Sequence, residues 1–190
     1  MAEQLFLLRI VFLLVELILL VGIVWYCVYV TALLVSRYME VPFVPTDSDA
    51  VQAVFDYLRP QKGKRFLEIG FGDGRVICYA VKKYGLLGHG VDTNPVFVHV
   101  ARMRAWLMGI AHKISFERKD ARQASFKQAD IIFIFMLPAL LHDVQIQHGL
   151  QKQAKRGTYV VSHWYPITYF AKQEVFRFSG KDHETYVYKI

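Results

Sequence analysis

The sequence predicts an α/β fold: a mostly parallel sheet wound with helices and closed by an antiparallel hairpin, preceded by one N-terminal transmembrane helix. Three observations carry this. A near-continuous apolar run fills residues 5–35. From residue 65 onward, short apolar segments of strand length alternate with longer segments of helical period, the signature of successive β-α-β units. Residues 173–190 instead read as two strands joined by a turn, which makes the far edge of the sheet antiparallel.

Between Leu5 and Val35 only Arg9 and Glu16 are charged, and the run exceeds the ~20 residues a helix needs to cross a bilayer. A cleaved leader would have a shorter apolar core and a small-x-small site, whereas here Trp25, Tyr26 and Tyr29 prolong the run. Arg9 and Glu16 stand two helical turns apart on one face, which suits either a homodimer through this helix or tolerance near the membrane boundary. Little positive charge precedes the span, while Arg37, Arg59, Lys62, Lys64 and Arg65 follow it. The positive-inside rule then places the rest of the chain on the cytoplasmic or matrix side. The expected division is residues 1–40 for the anchor and 41–190 for a globular domain.

Pro42 and Pro45 end the first helix, and Thr46 or Asp47 can cap a second one running to Leu58. Strands are expected at 65–70, 86–92, 114–120, 129–136 and 158–164, with helices at 74–85, 94–109 and 138–155. Asn94 is a natural N-cap with Pro95 in the first helical position. The final hairpin turns at Ser179 to Asp182.

The formal charge of +7 lies wholly outside the first forty residues, which hold two arginines and three glutamates. A basic domain favours an anionic membrane surface or an acidic partner, and charge alone also permits nucleic acid. Cys27 and Cys78 are too few and too badly placed for a disulfide framework or a thiolate metal site. His89, His99, His112, His142 and His148 have no ligand spacing, so no metal is expected.

The stretch FLEIGFGDGRV, residues 66–76, follows the first strand of the alternation and opens a helix. Gly70, Gly72 and Gly74 let backbone approach a ligand, at the strand-to-helix turn where open α/β sheets bind theirs. The dinucleotide pattern would need glycine where Arg75 stands, and a P-loop is absent. Glu68 and Asp73 crowd negative charge into the turn and would repel a pyrophosphate. A ligand bearing positive charge and no phosphate fits: S-adenosylmethionine has a sulfonium, an ammonium, a ribose diol and an adenine.

E-x-G-x-G-x-G after a first strand resembles motif I of the class I methyltransferases, and implies their Rossmann-like sheet. Asp92, ending the second strand, is placed to accept the ribose hydroxyls, and Thr93 and Asn94 extend that corner. The family usually puts a side chain from the third strand's end near the adenine amino group, which here points to Asp120 and Ala121. The membrane helix, PFVPT, the GDGR turn and the NP after Asp92 narrow the likeness. Together they resemble the small membrane-anchored protein-lysine methyltransferases whose mitochondrial members modify carrier and ATP synthase subunits. In that family the segment matching Pro42 to Thr46 packs over the cofactor, which implies lid roles for Phe43, Pro45 and Thr46. Asp92 departs from the glutamate of the eukaryotic relatives, and the region after Met136 matches them weakly. A bacterial inner membrane is the expected home rather than a mitochondrial one.

Methyl transfer is an in-line displacement, so the protein must mainly hold a neutral nucleophile in line with the sulfonium methyl. The Asn-Pro-Pro-Tyr signature of many nucleic-acid and glutamine methyltransferases is missing at the end of the fourth strand, so no nucleic-acid partner is expected. Met136, Leu137 and Pro138 offer an apolar wall suited to a desolvated aliphatic amine, or are ordinary core at a strand end. His163, Trp164 and Tyr165 at the end of the fifth strand either line an aromatic acceptor channel or pack. The expected function is methylation of a lysine on a membrane protein. The alternatives are a lipophilic small-molecule acceptor, such as a quinone or lipid amine, and a cofactor-binding scaffold without turnover.

Overall fold

The computed structural model describes residues 2–38 and 43–190, which form two compact units dividing between Phe43 and Val44. Pro42, expected to break the first helix and begin the lid, lies outside the described residues. The first unit is one helix, α1 (Ala2–Tyr38), of which Glu3–Val35 is long and apolar enough to cross a membrane, at mean hydropathy 2.8. Those 33 residues rise about 50 Å, more than a ~30 Å hydrocarbon layer requires. The Thr31 hydroxyl donates to the Cys27 carbonyl at 2.8 Å, so this polar group inside the apolar run is satisfied within the helix.

In the second unit α2 (Ser48–Leu58) leads into β1 (Arg65–Ile69), α3 (Arg75–Tyr84), β2 (Leu87–Asp92), α4 (Pro95–Leu107) and β3 (Ile114–Arg118). Then follow β4 (Ile131–Ile134), α5 (Pro138–Leu141), α6 (Val144–Gln153), β5 (Tyr159–His163), β6 (Glu174–Ser179) and β7 (Glu184–Lys189). One sheet orders them β3-β2-β1-β4-β5-β7-β6. The first five pair in parallel, and β7 runs antiparallel to both β5 and β6. The closing hairpin therefore folds back, with β7 against β5 and β6 outermost.

Caps set the helix ends. Asp47, not Thr46, caps α2, accepting from the Asp49 amide at 3.0 Å. Asn94 caps α4 through the amides of Val96 and Phe97, with Pro95 in the first turn as its spacing foretells. Two apolar layers sandwich the sheet. Val54, Phe55, Ile77, Val81, Ala101 and Phe133 belong to one, built on α2, α3 and α4. Leu67, Ile132, Leu141, Ile146, Leu150 and Phe170 belong to the other, built on α5, α6 and the loops after β3 and β5.

One expected element is corrected. The helix read across 138–155 is two, α5 and α6, because Asp143 restarts the chain: its backbone is extended and its carboxylate caps α6 through the Gln145 amide at 2.8 Å. The apolar period runs through the break, since Leu141 and Ile146 both reach the core. Periodicity alone thus hides the interruption.

Candidate active site

β1 and β4 are neighbours while the crossovers from β1 run the other way through β2 to β3, so the sheet reverses its order between them. Ligands of open α/β sheets bind in the crevice outside the strands' carboxyl ends at such a point. The glycine turn occupies it. Gly70 has φ +75°, and a Cβ there would stand 3.3 Å from the Phe135 carbonyl just beyond β4. Gly74, at φ +73°, would drive a Cβ to 2.7 Å from that of Ala101 on α4, so only glycine lets the turn and α4 approach this closely.

Glu68 and Asp92 organise this turn from strand ends. Asp92 accepts the Gly72 amide on one carboxylate oxygen and the Asn94 amide on the other, both at 2.8 Å. It therefore ties the glycine turn to the start of α4 and keeps acceptor capacity for a ligand hydroxyl. Burial raises its pKa above the usual carboxylate range, against the opposing pull of the Asn94, Gly72 and Thr93 amides. Thr93 is half-buried, and its carbonyl accepts from the Arg118 side chain at 3.3 Å, which joins the ends of β2 and β3. Glu68 is only 3% exposed and accepts the Ile77 amide at 2.8 Å. Gly74 precedes α3 without a capping side chain, so Glu68 supplies a carboxylate for that helix's first turn from the neighbouring strand. Burial lifts its carboxyl well above the ordinary range, more than the Ile77 hydrogen bond lowers it.

Asp73 requires a correction. It does not contribute free negative charge to the turn, because its carboxylate is held by Arg75 and by Arg104 from α4, each at 2.8 Å. Those arginines neutralise it and fasten the turn, so the preference for a cationic ligand comes from Glu68 and Asp92 instead. The buried Cys78 thiol, pushed up to about 12 chiefly by burial, stays protonated and offers no nucleophile.

The third corner is more open. Asp120 follows β3 and caps the 3-10 turn Ala121–Gln123, accepting the Arg122 amide at 2.8 Å and pairing with its guanidinium at 3.1 Å. Arg122 continues to Asp143 at 3.0 Å, linking this corner to α6, and Ala121 packs against the core beside it. The expected lid residues divide between the units: Phe43 lies in the first, its ring edge-on to Tyr29 at 6.4 Å, while Pro45 and Thr46 precede α2 in the second.

On the acceptor side, Met136 turns into the core, whereas Leu137 remains 39% exposed and Pro138, also exposed, opens α5. His163 is buried, hydrogen-bonded between Nδ1 and the Thr185 hydroxyl at 2.7 Å, and its pKa is lowered to about 4 by desolvation, with the nearby His183 adding to the effect. It is a neutral, packed ring. Trp164 is different: 37% exposed, it holds a left-handed backbone at φ +73°, rare for an aromatic residue. Its indole lies 5.5 Å from Phe135 and 6.1 Å from His183, centroid to centroid. Phe135 and His183 are not among the residues singled out from sequence. Phe135 is legible as the residue that continues the Phe133 face in the apolar alternation IFIFM; His183 has no local signal, because the hairpin brings it in from the far end of the chain.

These residues fit S-adenosylmethionine. The raised pKa values of the buried Glu68 and the half-buried Asp92 fit a cation, which would favour their ionised forms, Asp92 keeps acceptor capacity for a hydroxyl, and glycine backbone leaves room where a side chain would not. Fold and site together define an S-adenosylmethionine-dependent methyltransferase domain. Residues 68–174 match the ANTKMT methyltransferase domain, and the chain belongs to that family. A human lysine N-methyltransferase named for an ATP synthase subunit is 29% identical over 73% of this chain and 58% of its own length. Mouse adenine nucleotide translocase lysine N-methyltransferase is 31% identical over 68% and 55%. The chain thus spans little more than half of these relatives. A protein-lysine N-methyltransferase of Saccharolobus islandicus is 26% identical and covered over 94% of its length by 80% of this chain. Among solved structures, an RNA methyltransferase of Salinibacter ruber bound to S-adenosylhomocysteine shares the fold at TM-score 0.71, with 24% identity over 77% of this chain and 94% of that one.

Proposed function

We propose that this protein is a membrane-anchored methyltransferase that transfers the S-adenosylmethionine methyl group to a lysine of a membrane protein. The observation that carries the methyltransferase reading is the Asp92 carboxylate, which fastens Gly72 and Asn94 at the sheet's switch point and keeps acceptor capacity for a ribose. The names of the relatives support a lysine acceptor. The length and apolarity of α1 support an anchor, with the methyltransferase unit on the cytoplasmic or matrix side of, by preference, a bacterial inner membrane.

The bound cofactor supplies an electrophilic methyl group on a sulfonium. Asp92 and the glycine turn orient the nucleoside, and a cation beside the buried Glu68 would draw that carboxyl toward its ionised form. A lysine ammonium has no lone pair and must lose its proton first. Trp164 and Phe135 offer apolar aromatic surface at the ends of β5 and β4, and an acceptor amine desolvated against it would favour its neutral form. Incubating membranes with methyl-labelled cofactor and either the native protein or Asp92→Ala tests this reading. Label on a protein lysine, lost in the variant, is expected; label confined to lipid overturns it. That second outcome would favour a lipophilic amine acceptor, the reading that the exposed apolar pair Leu137 and Pro138 supports.

A further inference from the structure

α4 is apolar on two faces. Phe97, Val98, Val100, Ala101 and Ala105 are buried on one of them. On the other, Met103, Trp106 and Leu107 are 45%, 67% and 69% exposed, and their three- and four-residue spacing makes them neighbours on the helix surface. A surface helix ordinarily turns charged or polar side chains outward.

The surroundings are basic and almost free of acid. From Gly74 to Phe116 the chain carries six lysines and arginines and one acidic residue, Asp92, which lies at the opposite end of α4 in the site. Arg75 and Arg104 are engaged by Asp73, which leaves Lys82, Lys83, Arg102 and Lys113. Two of these are held close to the apolar residues. Lys82 donates to the Met108 carbonyl at the end of α4 at 3.0 Å, and Arg102, on α4 itself, to the Phe116 carbonyl at 2.9 Å. Lys113 closes the 3-10 turn that follows the helix.

We infer that this end of α4 docks on an anionic lipid surface, with Met103, Trp106 and Leu107 entering the interfacial layer and Lys82, Arg102 and Lys113 meeting the lipid phosphates. An indole and two long aliphatic chains beside basic residues have the composition of an interfacial contact. A second copy of the chain would set one predominantly basic surface against another. A nucleic acid would leave the apolar centre against phosphates. The contact is separate from the cofactor site, since the helix from Asn94 to Trp106 spans about 18 Å. It is also independent of what is methylated.

The chain has three tryptophans, Trp25, Trp106 and Trp164. Replacing Trp25 and Trp164 with Phe in the full-length protein leaves Trp106 as the reporter. Vesicles of phosphatidylcholine with or without phosphatidylglycerol, carrying brominated acyl chains, then test the contact. Quenching of Trp106 in the anionic vesicles is expected, with each of Lys82→Gln and Lys113→Gln weakening the docked state about fivefold and high salt reversing it. Leu107→Cys with Cys27→Ser, labelled with bimane, reports the same contact with every tryptophan retained. Absence of quenching and of a bimane shift overturns the proposal, as does quenching that ignores lipid charge. Shielding that grows with protein concentration without lipid would identify a second copy as the occupant, and also overturns it.

Discussion

At the scale of single residues, the carboxylates of Glu68 and Asp92 separate into different tasks. Asp92 is legible from sequence because it ends a strand of the alternation, yet its role in holding the Gly72 amide appears only in three dimensions. Asp92→Ala should weaken cofactor binding at least about tenfold through lost charge-assisted bonds, as calorimetry can measure. It should also lower stability by about 1–3 kcal/mol, since two amides lose their acceptor. Glu68 is equally visible in sequence, but its bond to Ile77 is not, because nothing local tells that a strand glutamate serves the first turn of the next helix. Glu68→Gln keeps an acceptor for that amide and removes a buried ionisable group whose charged form is costly. The free protein should therefore melt higher at neutral pH, while its affinity for the cationic cofactor falls. Reduced melting temperature in that variant would show that the ionised form is what the fold requires.

At the scale of elements, sequence reading succeeds where strands and helices alternate and fails where a cap interrupts a continuing apolar period. The central strands are legible because both their faces are buried, which demands an unbroken apolar run in β4 and leaves Glu68 as the one polar residue among the buried positions of β1. The break between α5 and α6 is hidden because Leu141 and Ile146 stay in phase while Asp143 alone carries the interruption. Asp143→Ala removes the α6 cap and one partner of Arg122, and should cost about 1 kcal/mol, some 3 °C of melting temperature. Asp143→Ser should retain most of the cap. The junction of α3 with α4 is tighter. Gly74→Ala must adopt φ +73° and meet the Ala101 Cβ at 2.7 Å, which should cost at least about 2 kcal/mol. Adding Ala101→Gly should recover the steric share and leave the backbone share, so the double variant should melt between the single variant and the native protein.

At the scale of the whole molecule, two buried groups on opposite sides of the site set opposing pH dependences. Burial raises the Glu68 pKa, so the folded state holds a proton that the unfolded chain releases at lower pH. Its contribution is fully present below the ordinary glutamate pKa and is lost as pH rises through the raised folded value. His163 behaves inversely. Its pKa falls from 6.5 to about 4 as burial and His183 oppose a second positive charge, with Asp47 pulling the other way. Its contribution is complete above 6.5 and is lost as pH falls toward 4, by up to about 3 kcal/mol. Between these limits the two slopes partly cancel, and the native protein should show a shallow stability profile. Glu68→Gln removes the falling limb, so its melting temperature should climb steadily across that window. His163→Asn removes the rising limb and leaves a profile that declines toward neutral pH. S-adenosylmethionine should stabilise the native protein more as pH increases, because a cation beside Glu68 and Asp92 offsets the cost of ionising them. Thermal unfolding with and without cofactor across the same pH range measures all three slopes, and a cofactor increment independent of pH would remove Glu68 and Asp92 from the cationic end of the site.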